Sequence, residues 1–207
     1  MRTRVKICGL TTIKDALAAS RCGADAIGLV FYERSPRSVD VETAQAIVAQ
    51  LPPFVTVVPL FLNPDAALVQ RVLDAMPVDL LQFHGDESPD FCLQFGRRYL
   101  KAVPMGGEGD PVVYARAHSQ AAGFLLDSHA PGERGGLGKV FDWEAIPTTL
   151  HKPVVLAGGL NPDNVADAVA RFHPWGVDVS SGVEASPGRK DADRIAHFIS
   201  EVDRVQF

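Results

Sequence analysis

The chain has 207 residues, 46% of them apolar and 22% charged, so it is long enough for one globular domain with a full hydrophobic core. Its 20 basic and 25 acidic side chains give a formal net charge of −5. This balance argues against a nucleic-acid-binding protein, because such surfaces concentrate Lys and Arg. The net charge does not exclude a local pocket that binds a small anion.

The first residues contain no apolar signal core, since Arg2, Arg4 and Lys6 interrupt them, and no apolar run is long enough to span a membrane. A cytoplasmic protein is therefore expected. The three cysteines, Cys8, Cys22 and Cys92, lack the spacing of a metal site and are odd in number. We expect free thiols, with no disulfide framework or zinc cluster.

Short β-rich segments alternate with amphipathic helical segments, which is the pattern of consecutive βα units. The predicted strands are Arg4–Cys8, Ala26–Phe31, Thr56–Phe61, Leu80–Phe83, Tyr99–Val103, Gly123–Asp127, Pro153–Leu156 and Val177–Ser180. The predicted helices are Ile13–Arg21, Val41–Ala49, Asp65–Ala75, Pro89–Phe95, Val112–Ala117, Pro162–Arg171 and Ala192–Val202. Eight units in so short a chain require tight loops. They predict an α/β fold, a closed parallel (β/α)8 TIM barrel, in a single domain over residues 1–207.

Several loops between the predicted strands and helices contain residues that predict their structure. Asn63-Pro64, Ser88-Pro89 and Asn161-Pro162 each place a capping side chain before a proline, which predicts three helix starts. The segment from Ser128 to Val140 contains four glycines and is too long for a tight loop. It is predicted to be a lid over a site, with a solvated connection as the alternative.

Polar residues at the carboxyl ends of barrel strands indicate the active site of this architecture. In chain order they are Cys8, the turn 34–37, Asn63, His84, Asp127, Gly158, Gly159, Ser180, Ser181 and Gly182. The glycines and serines follow the seventh and eighth strands, where barrels commonly bind phosphate through main-chain amides. The alternative for Gly158 and Gly159 is a simple turn before Asn161.

Cys8 and Asp127 are the candidate proton-transfer groups. By the two-residue alternation of a strand, Lys6 and Cys8 share the face that should be the barrel interior. A thiol acts as a base only when ionised, so its usual pKa of about 8.5 must be met or lowered by nearby positive charge. Lys6 is placed to do this, or it pairs instead with an internal carboxylate such as Asp178. A carboxyl group at Asp127, partly removed from water under a lid, can donate a proton; the alternative for Asp127 is a surface or capping residue.

Two further residues at strand ends are candidates for substrate contacts. Arg37 is placed to bind a substrate carboxylate in a bidentate pair, with a solvated loop charge as the alternative. His84 is predicted either to donate a hydrogen bond to substrate or to close a turn.

With these residues identified, the chain resembles the phosphoribosylanthranilate isomerase family. The resemblance runs in order through KICGL, GLVFYERSPRSV, LFLN, QFHGDE, LLDS, GGLGKVFDW, LAGGL, VDVSSGVE and PGRKD, between residues 6 and 191. It implies an Amadori rearrangement of N-(5-phosphoribosyl)anthranilate to 1-(2-carboxyphenylamino)-1-deoxyribulose 5-phosphate in tryptophan biosynthesis, without cofactor or metal.

The resemblance also implies roles for the residues above. Asp127 matches the general acid and Cys8 the general base, Arg37 faces the anthranilate carboxylate, and Gly159 with Ser180–Gly182 binds the phosphate. Two positions depart from the family pattern: Leu137 replaces a threonine in the predicted lid, and Phe83 replaces a leucine.

Two alternatives remain at this stage. One is a sibling phosphate-binding barrel of the pentose-phosphate epimerase or indole-glycerol-phosphate synthase type, although the metal-binding histidines or the lysines and glutamate expected there are not seen at these strand ends. The other is a non-catalytic subunit that binds a phosphorylated ligand. The expected partner is a small phosphorylated molecule. We expect a monomer, with a homodimer as the alternative.

Overall fold

The computed structural model describes residues 2–106, 110–128, 146–147 and 149–205. The predicted lid, including Leu137, lies outside the described residues except for Ser128.

Eight parallel strands close into a barrel in chain order, which confirms the predicted fold. The strands are β1 (Arg4–Cys8), β2 (Ala26–Phe31), β3 (Thr56–Phe61), β4 (Leu81–Phe83), β5 (Tyr99–Pro104), β6 (Gly123–Asp127), β7 (Val154–Leu156) and β8 (Gly176–Val179). All eight predicted strands are present, and their bounds differ from the predicted ones by at most one residue at either end.

Helices in the described residues follow every strand except β6, whose connection is largely outside them. They are α1 (Ile13–Arg21), α2 (Val41–Val48), α3 (Ala66–Ala75), α4 (Pro89–Leu93), α5 (Pro111–Ala117), α6 (Val165–Phe172) and α7 (Ala192–Arg204). A hairpin that was not predicted follows β8, with strands β9 (Glu184–Ser186) and β10 (Arg189–Lys190) pairing antiparallel.

Side chains of β1 alternate between two environments, as the strand period requires. Val5 and Ile7 are buried in the apolar layer between the strands and the helices. Lys6 and Cys8 face the barrel interior, since a Cβ added at Gly28 would lie 3.0 Å from Lys6 Nζ and 2.7 Å from Cys8 Sγ. The predicted facing of this strand is therefore confirmed.

Only one of the three predicted proline caps is a helix cap. Ser88 caps α4 and accepts a hydrogen bond from the Phe91 amide at 3.2 Å. Asn63 instead has a φ of +47°, and α3 is capped by Asp65. The Asn63 side chain accepts a hydrogen bond from the Asp86 amide at 2.7 Å, so it fixes a neighbouring loop.

The prediction for Asn161 is also wrong. Its side chain accepts from the Asp163 amide at 2.8 Å, within a turn that precedes α6. The helix therefore begins at Val165 rather than at Pro162. Asparagine stabilises such turns as readily as helix starts, because its short side chain bonds the main chain two residues on.

A buried ion pair fixes the turn between β4 and α4. Lys101 Nζ lies 3.1 Å from Glu87 Oε2, and the two side chains are 0% and 2% exposed. Lys101 also donates to the carbonyls of Phe83 and Gly85, while the Glu87 carboxylate accepts from the Gly85 amide. These contacts hold both peptide units that flank His84.

We expect Lys101→Met to lower the free energy of unfolding by about 3–5 kcal/mol, because it leaves the Glu87 charge buried without its partner. The matched control is Arg204→Met, which removes an ion pair to Glu201 from a side chain that is 66% exposed. The control should cost less than about 1 kcal/mol. Denaturant unfolding of both variants measures the difference, and equal losses would contradict the assignment.

Candidate active site

A cavity of about 380 Å³ opens at the carboxyl ends of the strands. Its volume is in the range of pockets that bind small molecules. It brings together most of the predicted site residues: Cys8, Arg37, His84, Asp127, Gly158, Gly159, Ser180 and Ser181. Asn63 and Gly182 are not among the lining residues.

Cys8 lies at the wall of the cavity, packed with Val30 and Leu60. Neighbouring Lys6 donates a hydrogen bond to Asp178 at 2.7 Å, so its charge pairs with an internal carboxylate. This is one of the two roles predicted for Lys6. Burial lowers the pKa of Lys6, but attraction to Asp178 and Cys8 outweighs burial and raises it, so Lys6 stays protonated.

Nearby positive charge acts to lower the pKa of Cys8, as the sequence suggested, but it does not bring that pKa below its usual value. Burial raises the pKa of the Cys8 thiol above its usual value, and repulsion from Asp178 adds to the effect. Lys6 and Lys190 act in the opposite direction but do not overcome burial. Desolvation of the thiolate is the dominant influence because the residue is 5% exposed.

Asp127 ends β6 with its carboxyl group held on both sides. Oδ1 accepts a hydrogen bond from the Ser128 amide at 2.7 Å, and Oδ2 lies 3.2 Å from His84 Nε2. The residue is 4% exposed, so the alternative of a surface aspartate is wrong. Its position in the cavity wall is fixed before any ligand binds.

His84 bridges Asp127 and the buried amide of Gln82. Its Nδ1 lies 3.1 Å from Gln82 Nε2, and its Nε2 faces Asp127. When the Gln82 amide donates to Nδ1, the proton of a neutral ring is on Nε2, toward the carboxylate. His84 therefore orients Asp127 as well as lining the cavity.

The loops after β7 and β8 form a further part of the cavity wall. Gly158 and Gly159 have φ values of +78° and +68°, a backbone conformation that glycine adopts without strain. Within the described residues, the amides of Gly159, Ser181 and Gly182 have no hydrogen-bond acceptor. Main-chain donors left in this way suit a bound anion.

Gly182 also allows the two loops of this wall to pack closely. A Cβ added there would lie 2.0 Å from the Leu160 carbonyl oxygen. The absence of a side chain therefore lets the loop after β8 lie directly against the loop after β7.

Arg37 lines the cavity, but its guanidinium already has a partner. Nε and Nη2 donate to the two carboxylate oxygens of Glu184, each at 2.8 Å. The Arg37 side chain is 14% exposed, so the alternative of a solvated loop charge is wrong. The bidentate partner in the structure is a protein carboxylate, and a contact with a substrate carboxylate stays a prediction.

Sequence reasoning missed the hairpin residues Glu184 and Lys190. Lys190 Nζ donates to Glu184 Oε1 at 2.8 Å and to the Ser180 carbonyl at 3.0 Å. The Pro187-Gly188 pair between two short segments was the available signal for a hairpin. Nothing in that pattern indicated which side chains it would bury.

Of the two departures from the family pattern, Phe83 is away from the cavity. It is fully buried and its ring lies about 6 Å from those of Phe61, Phe91, Phe95 and Tyr99. The larger side chain fills space between the barrel and α4, where it serves packing.

Comparison with known proteins decides the family. A family model for N-(5'-phosphoribosyl)anthranilate isomerase matches residues 5–201. The chain belongs to this family. The resemblance drawn from the ordered sequence motifs is thereby confirmed, and the sibling barrels are not favoured.

Relatives in the phosphoribosylanthranilate isomerase family match over nearly the whole chain. The isomerase of Halorhodospira halophila is 54% identical over 204 residues, covering 99% of this chain and 98% of that protein. That of Pseudomonas aeruginosa is 55% identical over 199 residues, covering 96% and 94%.

Solved structures of the family have the same fold. The phosphoribosyl anthranilate isomerase of Thermotoga maritima is 39% identical with a TM-score of 0.86, covering 98% of this chain and 100% of that one. A second structure, 35% identical with a TM-score of 0.82 and the same coverage, contains reduced 1-(o-carboxyphenylamino)-1-deoxyribulose 5-phosphate. The Thermotoga maritima enzyme is described as dimeric.

No helix among the described residues is long and apolar enough to cross a membrane. They also contain no group of three or more His, Cys, Asp and Glu residues arranged to hold a metal ion.

We expect Gly182→Ala to weaken the binding of inorganic phosphate and to cost about 1–3 kcal/mol of stability, because the new methyl group forces the two loops apart. Gly96→Ala is the control: its φ is +60°, but an added Cβ meets no atom within 4 Å. That variant should lose about 1–2 kcal/mol from backbone strain and keep its phosphate affinity. Calorimetric titration with phosphate separates the two, and unchanged affinity in Gly182→Ala would contradict this role of the loops.

Proposed function

We propose that the chain catalyses the Amadori rearrangement of N-(5-phosphoribosyl)anthranilate to 1-(2-carboxyphenylamino)-1-deoxyribulose 5-phosphate, a step of tryptophan biosynthesis, by general acid–base catalysis. The observation that carries the proposal is that Cys8 and Asp127 line the same cavity as Arg37 and the loops after β7 and β8. One substrate molecule can therefore reach a proton acceptor, a proton donor, the Arg37 guanidinium and the main-chain amides of the two loops.

Asp127 is the general acid. It donates a proton to the furanose ring oxygen as the bond from that oxygen to C1 breaks, which opens the sugar and gives a Schiff base between C1 and the aryl nitrogen. The Ser128 amide and His84 lie 2.7 Å and 3.2 Å from the two carboxyl oxygens, so the carboxyl group is held at the cavity wall.

Cys8 is the general base. As a thiolate it removes the proton from C2 of the Schiff base, and the electron pair forms the C1–C2 double bond of an enolamine. Protonation at C1 and loss of the proton from the C2 hydroxyl then give the ketone. The reaction is an isomerisation, so it balances without an external oxidant or reductant.

The two charged ends of the substrate lie against different elements. The phosphate binds the amides of Gly159, Ser181 and Gly182, which have no acceptor in the part of the chain that the structure describes, and Ser180 and Ser181 line the cavity beside them. The anthranilate carboxylate faces Arg37, and the aromatic ring packs on the apolar side that includes Val30 and Leu60. Anchoring both ends places C1 and C2 between the acid and the base.

We expect Cys8→Ala and Asp127→Asn each to lower kcat by about 10²–10⁴-fold, the usual contribution of one general acid or base. Both variants should still bind the reduced product analogue, because the anion-binding loops and Arg37 are unchanged. Loss of substrate fluorescence measures turnover, and competition measures binding. Wild-type turnover by Cys8→Ala would show that another group is the base.

The rate should rise with pH through neutrality, because burial raises the pKa of the Cys8 thiol and only the thiolate removes the C2 proton. Asp178→Asn removes a repulsive charge next to the thiolate, so the rising limb of kcat/KM against pH should move to lower pH. Lys6→Met removes an attractive charge and should move the limb to higher pH. Shifts in the same direction for both variants would contradict this assignment of the limb to Cys8.

A further inference from the structure

A pair of buried charges lies next to Arg37, and the proposed reaction does not use it. Glu184 accepts hydrogen bonds from Arg37 through both carboxylate oxygens and from Lys190 Nζ through Oε1, all at 2.8 Å. The side chains of Glu184 and Lys190 are 5% and 1% exposed. Neither residue is among the described residues that line the cavity.

Lys190 connects this pair to the loop after β8. Its Nζ donates to the Ser180 carbonyl at 3.0 Å, and the Ser180 hydroxyl donates to the Cys8 carbonyl at 3.0 Å. Glu184 and Lys190 are paired across the β9–β10 hairpin. A continuous set of contacts thus runs from Arg37 through the hairpin to the phosphate side of the cavity.

The hairpin is also packed against the loop that carries Arg37. A Cβ added at Gly188 would lie 2.6 Å from the Pro36 carbonyl oxygen, and one added at Gly9 would lie 2.6 Å from Arg37 Cδ. The aliphatic part of Arg37 is therefore confined by Gly9, directly after β1, while its guanidinium is held by Glu184.

Two roles for Glu184 make opposite predictions. As a competitor it would occupy the guanidinium and be displaced by the substrate carboxylate. As a positioning residue it would hold one edge of the guanidinium and leave the rest for substrate. Arginine has five N–H donors, and Glu184 takes those of Nε and one of Nη2. Within the described residues Nη1 donates no hydrogen bond, so donors remain for a second carboxylate.

The contact with Lys190, which anchors Glu184 through Oε1 at 2.8 Å, favours the positioning role. Burial alone raises the pKa of Glu184, but hydrogen bonds and attraction from Arg37 and Lys190 outweigh burial and lower it. The carboxylate is therefore ionised at neutral pH. Lys190 holds it in place when the remaining N–H donors of Arg37 bind a second carboxylate.

We infer that Glu184, anchored by Lys190, is a positioning residue that fixes the Arg37 guanidinium for the aryl carboxylate of the substrate and so determines the preference for a carboxylated aromatic amine. This inference rests on the proposed function.

The test compares two substrates that differ only in the carboxylate: N-(5-phosphoribosyl)anthranilate and N-(5-phosphoribosyl)aniline, each formed from ribose 5-phosphate and the amine. In Glu184→Gln the preference in kcat/KM for the anthranilate compound should fall by about tenfold, through a higher KM with kcat within about twofold. The aniline compound should be turned over at the wild-type KM. Glu87→Gln, a carboxylate equally buried and paired with Lys101, is the matched control and should change both substrates by the same factor.

A lower KM of Glu184→Gln for the anthranilate compound would show that Glu184 competes with substrate, and an equal loss on both compounds would show a merely structural role; either overturns the inference. Absence of turnover by the wild-type protein would instead refute the proposed function. If thermal unfolding shows that Glu184→Gln does not fold, Lys190→Met replaces it. That variant keeps the contact between Arg37 and Glu184 but loses its anchor, and its preference should fall in the same direction.

Discussion

Closure of the barrel by β1 and β8 is the constraint on which the site depends. The register of this ladder sets Lys6 opposite Asp178 and Ile7 opposite Val179, although the paired residues are far apart in the chain. Because parallel strands end at the same edge, closure brings Cys8 to the loop that contains Ser180. It also pairs the Lys6 charge with a carboxylate inside the barrel, which leaves the thiol to be governed by burial. The position and the ionisation of the proposed base thus follow from one pairing of strands.

Buried charges surround the cavity and are arranged in pairs, because an isolated charge removed from water is strongly unfavourable. Lys6 with Asp178, Lys101 with Glu87, and Glu184 with both Arg37 and Lys190 are all largely inaccessible to solvent. A hydrophobic replacement of such pairs is often equally stable, so stability alone does not explain them. Their common feature is directional: each holds a particular backbone turn or side chain at the edge of the cavity. The molecule therefore maintains the geometry of its mouth without a ligand.

Predictions from local sequence were most accurate where a single physical effect dominates. The strands were predicted from short β-rich runs that alternate with helical segments, and their bounds are close to those predicted. The caps at Asn63 and Asn161 were wrong because an asparagine followed by proline stabilises turns and helix starts by the same type of hydrogen bond. Asn63 bonds the Asp86 amide, on the next loop of the barrel, and no local pattern contains that partner.

The sequence by itself determined the order of the βα units and the residues at each strand end. Hydrophobic periodicity and polarity depend only on residues that are close together in the sequence. Chain order of motifs was also sufficient to indicate the family. Tertiary structure alone decided the partners and ionisation of those residues: that Arg37 is held by Glu184, that His84 faces Asp127, and that burial raises the pKa of Cys8. The physical reason is that electrostatic interactions depend on distance and on the exclusion of water. Both are set only when strands distant in sequence are packed together.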